Sequence, residues 1–213
     1  LGYTPSGYGD TTAGVSTVSY NFGQRLFLDP YAKFIDKNNN LHQLKTRLYW
    51  VSNENLSNPS QSNAATISYA DYTFQHKFGQ GSTLSTGITA IQNVVNSELF
   101  GNHNSQNYAA YSQLEYHKNK LDLSAGVRLE YFEMDGNKPD SQFQLPGKDS
   151  LFVPVYPVLR TGLHYALKPF THLRASFGQG IRYPSVAERF TQTSVGALNI
   201  FPNPELRPEI GWA

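Results

Sequence analysis

The sequence predicts an all-β protein, an antiparallel up-and-down meander of about eight strands, and three observations carry that prediction. Period-2 alternation of apolar and polar residues recurs in stretches of roughly 9 to 11 residues or more, the length that a barrel strand needs to cross a bilayer. The connections between those stretches alternate strictly between short and long. Helical periodicity is weak nearly everywhere, and no run approaches the roughly 18 apolar residues of a transmembrane helix.

The elements follow in order. Residues 1–25, with Tyr3, Pro5, Gly7, Tyr8, Gly9 and Asp10, read as a loop leading into a first strand near 26–36. Lys37-Asn38-Asn39-Asn40 then turns the chain into a strand near 41–52, where Leu44, Leu48 and Trp50 alternate with Gln43, Lys45, Arg47 and Tyr49. A long connection over 53–64, dominated by Asn, Ser and Gln, precedes strands near 65–78 and 83–94, which Gly79-Gln80-Gly81-Ser82 joins. Another, over 95–106, precedes strands near 107–118 and 121–134, joined by Asn119-Lys120. In the second of these Leu121, Leu123, Ala125, Val127, Leu129 and Tyr131 oppose Asp122, Ser124, Gly126, Arg128 and Glu130. After 135–150 come strands near 151–167 and 172–180, joined by Lys168-Pro169-Phe170-Thr171, with Leu159, Leu163, Tyr165 and Leu167 opposing Arg160, Gly162 and His164. The last long connection, 181–207, leads towards the first residues of another strand at 210–213. Gly, Asn and Pro in the tight connections supply the backbone angles that hairpin turns require.

Loops sorted this way leave one end of the sheet trim and the other elaborated, as in outer-membrane barrels with short periplasmic turns and longer outer loops. Lipid cannot hydrogen-bond the backbone, so a spanning sheet closes on itself, with hydrocarbon outside and water or protein inside. Tyr49, Trp50, Tyr131, Phe132 and Tyr165, near strand ends, suit the interfacial aromatic girdles. A soluble antiparallel sheet with one packed and one wet face would alternate in the same way. Composition narrows the choice. Charged residues are 15 % of the chain and aromatics 14 %, against roughly 25 % charged in an ordinary soluble domain. The formal net charge of +1 argues against a nucleic-acid partner, and the absence of cysteine excludes disulfides, thiol catalysis and cysteine-ligated metals.

The C-terminal third carries a more specific signal. The strand ending Phe177-Gly178-Gln179-Gly180 runs into Ile181-Arg182-Tyr183-Pro184-Ser185, and Asn203-Pro204-Glu205-Leu206-Arg207-Pro208-Glu209 follows after a loop. This pair resembles the TonB-dependent receptors of Gram-negative outer membranes, which often show Gly-x-Gly-x-Arg-x-Pro-Ser followed by Asn-Pro-x-Leu-(Lys/Arg)-Pro-Glu. The matching positions are Gly178, Gly180, Arg182, Pro184 and Ser185, then Asn203, Pro204, Leu206, Arg207, Pro208 and Glu209. With the hairpin that contains Ala110 to Tyr116 and Leu123 to Tyr131, the resemblance covers roughly residues 107–213. It implies a segment of a closed barrel of about 22 strands, from a receptor that captures a scarce nutrient of the iron-chelate, cobalamin or glycan class. Import would use inner-membrane energy, an N-terminal plug rearranging when a TonB partner pulls. No plug, energy-coupling box or terminal aromatic strand is visible, so residues 1–213 are expected to be an internal fragment of such a barrel domain, prone to aggregate through open edges if made alone. The motif residues read chiefly as structural: Gly178 and Gly180 letting the strand bend, Pro184 and Pro208 ending ladder pairing.

No enzyme, cofactor or metal site is read from the sequence. His42, His76, His103, His117, His164 and His172 lack metal-ligand spacing and read as interior or turn residues. Gly178-Gln179-Gly180 lacks the rest of a dinucleotide fingerprint, and no Gly-x-Ser-x-Gly elbow occurs. Arg47, Arg128, Glu130, Arg160 and Arg174, with Lys45, Asp71 and Glu115, are the expected interior-facing charges, able to line a ligand path or hold a plug. Asn102, His103, Asn104 and Tyr108, or Asp140, Gln142 and Lys148, are expected on outer loops suited to ligand capture. Two other functions fit the residues: a small closed eight-stranded outer-membrane barrel of structural or adhesive role, and a soluble β-rich carbohydrate-binding module.

Overall fold

The computed structural model describes residues 20–79, 81–136, 150–191, 193–195 and 198–213. Its strands are β1 (Asn21–Leu28), β2 (Tyr31–Ile35), β3 (Leu41–Asn55), β4 (Asn63–Phe78), β5 (Ser82–Ser97), β6 (His103–Lys118), β7 (Leu121–Met134), β8 (Leu151–Lys168), β9 (Thr171–Arg182), β10 (Thr193–Val195), β11 (Leu198–Ile200) and β12 (Glu209–Trp212). One short helix, α1 (Val186–Phe190), lies between β9 and β10. Ten strands form a single sheet, in the order β1-β3-β4-β5-β6-β7-β8-β9-β12 with β2 also on β3, while β10 and β11 form a separate ribbon.

Every pairing is antiparallel, as hairpin-linked strands demand. β1 and β2 lie in one line: Leu28 opposes Leu48 and Tyr31 opposes Lys45, so the register runs on unchanged between them. Pro30 makes the break, because it has no N–H for the ladder, and its carbonyl instead accepts the Thr46 N–H and hydroxyl at 2.9 and 3.1 Å. Three tight turns each carry one left-handed residue, Asn39 (φ 62°), Gly79 (φ 56°) and Asn119 (φ 55°), residue types that bear positive φ at least cost. In the first, the Asp36 carboxylate accepts the backbone N–H groups of Asn38 and Asn40, both at 2.8 Å.

The strands outrun the lengths expected from alternation. Residues 21–25 belong to β1 rather than to a leading loop; the rest of 1–25, except Tyr20, lies outside the described residues. Asn53 pairs with Asn63 and Val95 with His103, so the connections expected over 53–64 and 95–106 shrink to 56–62 and 98–102. The extensions consist mostly of Asn, Ser, Gln, Glu and His, so no apolar row marks them in the sequence. His103, Asn104 and Tyr108 therefore sit in β6, not in a loop, and Asp140, Gln142 and Lys148 lie outside the described residues.

Register settles which side chains share a face. Leu44, Tyr72, Ile88, Ala110 and Leu129 make one cross-strand row, and Phe74, Thr86, Ser112, Val127 and Leu159 another on the same side. Leu44, Leu48, Ile88, Leu114, Val127, Leu129, Leu159 and Leu173 stay exposed on that face, with Ile88 at 61 %. Among the described residues no second layer is stacked on these rows, as a soluble module would require. β1 and β12 lie at opposite ends of the path, so the sheet is open among the described residues and does not close as a small barrel. From Leu121 to Tyr131 the apolar row of β7 spans ten residue steps; at roughly 3.3 Å per step and a tilt of about 40° that is a band of about 25 Å, the height of a barrel's lipid belt.

At the long-loop rim the polarity of the two faces inverts. Tyr108, Tyr131 and Phe152 cluster at its edge, with ring centroids 6.1 and 5.6 Å apart in sequence, and Trp50 and Tyr165 share their face. Beyond it the same face carries the cross-strand row Gln92, Gln106 and Glu133. The opposite face there turns apolar: Phe132 and Met134 are buried with Val186 and Phe190 of α1, against Val95, Phe100, Leu151, Val153 and Tyr183. A register shift between Glu130 and Phe132 keeps Val153 facing this cluster. Tyr49 and Phe132 thus point away from the girdle expected for them: Phe132 is 5 % exposed beneath α1 and Tyr49 lies on the Arg47 side. The small core exists because the chain after β9 folds back over that face.

Candidate functional site: the polar face

The face opposite the apolar band gathers all eight expected interior charges: Lys45, Arg47, Asp71, Glu115, Arg128, Glu130, Arg160 and Arg174 share its parity. At its centre is a network across four strands. Asp71 on β4 accepts the hydroxyls of Thr73 (3.1 Å) and Thr89 (2.9 Å), and the Tyr111 hydroxyl lies 2.7 Å from that of Thr73. Arg128 on β7 donates from Nη1 to Thr89 Oγ1 (3.3 Å) and from Nε to Glu130 Oε1 (2.5 Å), with its guanidinium 5.7 Å from the Tyr111 ring centroid. Asn107 Nδ2 donates to the other oxygen of Glu130 at 2.8 Å. The Tyr111 ring can reach Asp71 because residue 87, its cross-strand partner, is glycine; a Cβ there would come within 2.6 Å of the ring and 2.3 Å of the Tyr72 carbonyl.

Beside this network a cleft of about 480 Å³ runs past Arg128, Gly126, Arg160 and Gly180. Arg47 makes a two-bond pair with Asp29 at 2.7 and 2.6 Å, filling the gap that Pro30 leaves in the edge strand. Arg160 and Arg174 have no ion pair among the described residues. Towards the short turns a second cleft, about 570 Å³, is lined by Glu115, Ser124, Gly162, His164, Arg174 and Ser176 among others.

Tertiary structure also brings together histidines that lie far apart in sequence. Asp122 accepts from Nδ1 of both His117 and His164, the latter at 2.6 Å, and His164 Nε2 faces His172 Nδ1 at 3.1 Å. Their ring centroids are 5.2 Å apart and the rings nearly parallel, so the two nitrogens meet head-on, as in a hydrogen bond, rather than converging on a common point. Among the described residues no group of His, Asp and Glu is placed to hold a metal ion. His42 and His76 differ from the interior expectation: they lie on the apolar face at its short-turn rim, where they bond Tyr72 and Asn40.

The two halves of the C-terminal motif prove to be one clasp. Arg182 at the end of β9 opposes Glu209 and donates to both its carboxylate oxygens, at 3.0 and 2.9 Å, while Nη1 reaches Glu188 of α1 at 2.9 Å. Ser185 caps α1 by accepting the Glu188 N–H, and the Glu188 carboxylate accepts the Ser185 N–H at 2.7 Å. This reciprocal bond, then Arg182, holds the Glu188 carboxyl down to about 2. Arg189, buried, donates to the carbonyl of Pro204, and the Leu206 N–H bonds the Asn203 carbonyl. Pro184 and Pro208 flank the ladder ends, whereas Asn203 and Arg207 stay exposed. Gly178 and Gly180 lie inside the β9 ladder, and neither has a left-handed φ. Tyr183 stacks on Phe132 (4.1 Å, 7°), and burial pushes its hydroxyl up to about 12.

Sequence reasoning missed α1 and its roof over the polar face. The signal was present in Ser185-Val186-Ala187-Glu188, a capping-box pattern, but the residues after it are too few for helical periodicity.

A sequence model of the family described as TonB dependent receptor-like, beta-barrel, matches residues 1–213. Among solved structures, one titled "Copper transporter OprC" superposes with a TM-score of 0.57 at 15 % identity, covering 87 % of this chain. The chain spans 35 % of that structure's length. A search of curated proteins gives no match.

Proposed function

Since the chain belongs to the TonB-dependent receptor-like β-barrel family, we propose that it forms part of the wall of a bacterial outer-membrane receptor that imports a scarce nutrient, of the iron-chelate, cobalamin or glycan class. One observation carries the reading: an exposed apolar band with an aromatic rim on one face of the sheet, backed by a charged network and a protein roof on the other. Such sidedness suits a sheet with hydrocarbon outside and an enclosed aqueous interior. A larger barrel of about 22 strands accords with the fold, because among the described residues both sheet edges are open to neighbours. Closure of that barrel, the plug and contact with TonB belong to the rest of the parent receptor.

The mechanism is binding and transport, with no covalent step. Arg128, Glu130, Arg160 and Arg174 would line the path beside the plug, and the clasp of Arg182, Glu188 and Glu209 would hold α1 over it. The test is uptake by cells that express the full-length parent, with and without TonB, on limiting iron chelates, cobalamin or glycans. TonB-dependent uptake of one class is the expected result. Uptake unaffected by loss of TonB, or fractionation of the parent away from outer membranes, would overturn the proposal.

A further inference from the structure

His103 is the first residue of β6, and its side chain is wholly buried beneath α1. Both ring nitrogens meet groups that only accept. Nδ1 lies 2.7 Å from Asp135 Oδ1 and Nε2 lies 2.9 Å from the Phe100 carbonyl oxygen. A neutral imidazole has one N–H and can satisfy only one of them; both bonds require the imidazolium. The other oxygen of Asp135 accepts the Asn104 N–H at 2.6 Å. Phe190 of α1 stacks on the His103 ring at 3.8 Å and 14°, an arrangement in which a cation is held by the aromatic face, and the Arg189 guanidinium lies 5.0 Å from the same Phe190 ring.

We propose that His103 carries both ring protons in this structure and that its charge latches α1 over the polar face, so that the roof is proton-operated: held when the ring is charged, loosened when it is neutral. Deprotonation leaves either Asp135 Oδ1 or the Phe100 carbonyl without its His103 donor and removes the cation from the face of Phe190. The charged groups on the elements packed around the ring are Asp135 after β7, Glu98 in the β5–β6 connection, and Glu188 and Arg189 on α1. Glu188 is committed to Ser185 and Arg182, and among the described residues Asp135 is the carboxylate within bonding reach of the ring. Loss of either ring proton as the pH rises costs one of the two bonds, so the latch opens on the alkaline side. The inference concerns access to the polar face and does not depend on which cargo is carried.

The experiment uses the full-length receptor in lipid nanodiscs with ¹⁵N-labelled histidine. At pH 6.5 both His103 ring nitrogens should resonate as protonated nitrogens. Hydrogen-exchange protection of the Arg189 amide, which bonds the Ser185 carbonyl at 3.2 Å, should fall about tenfold or more by pH 9 after correction for intrinsic exchange. His103→Phe keeps a ring against Phe190 without the charge, and its protection should not vary with pH over this range. A neutral His103 ring at pH 6.5 with α1 still protected would overturn the proposal, as would an equal pH slope in His103→Phe. Where that variant does not fold, the wild-type ring signals and slope decide the question.

Discussion

Replacing Val127 with arginine puts the sidedness of the sheet under direct strain. Val127 lies on the apolar face between Ser112 and Leu159, 38 % exposed. It is six residues above Leu121 and four below Tyr131, near the middle of the band. With roughly 3.3 Å per residue and a tilt of about 40°, its Cα is about 10 Å from the aromatic rim, too deep for a guanidinium to reach water without distorting the bilayer. An arginine on the lipid face at such depth costs roughly 2–4 kcal/mol, about 30-fold to several-hundred-fold in the folded population. Gln113 provides the control on the opposite face, across from Gly126 and 2.8 Å from Glu115. Arginine there meets solvent and a carboxylate, so Gln113→Arg should shift stability by no more than about 0.5 kcal/mol. Denaturant unfolding of the full-length receptor in bilayers measures both. Equal costs, or a larger cost for Gln113→Arg, would refute the assignment of hydrocarbon to the leucine-bearing face.

Gly87→Ala should destabilise by roughly 1–3 kcal/mol, because the new Cβ would meet the Tyr72 carbonyl at 2.3 Å, whereas Gly126→Ala, with its nearest neighbour at 3.5 Å, should be nearly neutral; paired denaturant midpoints compare them. Arg182→Gln should raise hydrogen exchange in α1 and β12 and leave the β4–β7 ladders protected, since Arg182 ties Glu188 to Glu209 and touches nothing in those strands. Glu188, held near 2 against an ordinary 4.5, contributes stability that is complete above about pH 4.5 and lost as the pH falls towards 2, and Glu188→Gln should flatten the acid limb of α1 protection over that window.

How far the sequence can be read is set by range. Alternation along one strand is local, with a period of two residues, so the eight expected strands, the parity of Arg47, Arg128, Glu130, Arg160 and Arg174, and the tight turns at Asn39, Gly79 and Asn119 were all legible before any coordinates. The C-terminal motif was legible as a pattern, but not as a clasp, because the Arg182–Glu209 bond spans 27 positions and needs β12 beside β9. Position in depth escaped the pattern as well. Phe132 alternates correctly, yet which face is apolar reverses at the rim, where Phe132 and Met134 pack under α1. Register, not composition, set Tyr111 over Gly87, drew His117 and His164 to Asp122 and set His172 against His164. What the amino-acid order determined by itself was the strand pattern and its two faces, a property of neighbours in the chain. What only the tertiary structure decided was which charges bond one another and what roofs them, because hydrogen bonds reach about 3 Å and only folding brings residues so distant in the chain within that range.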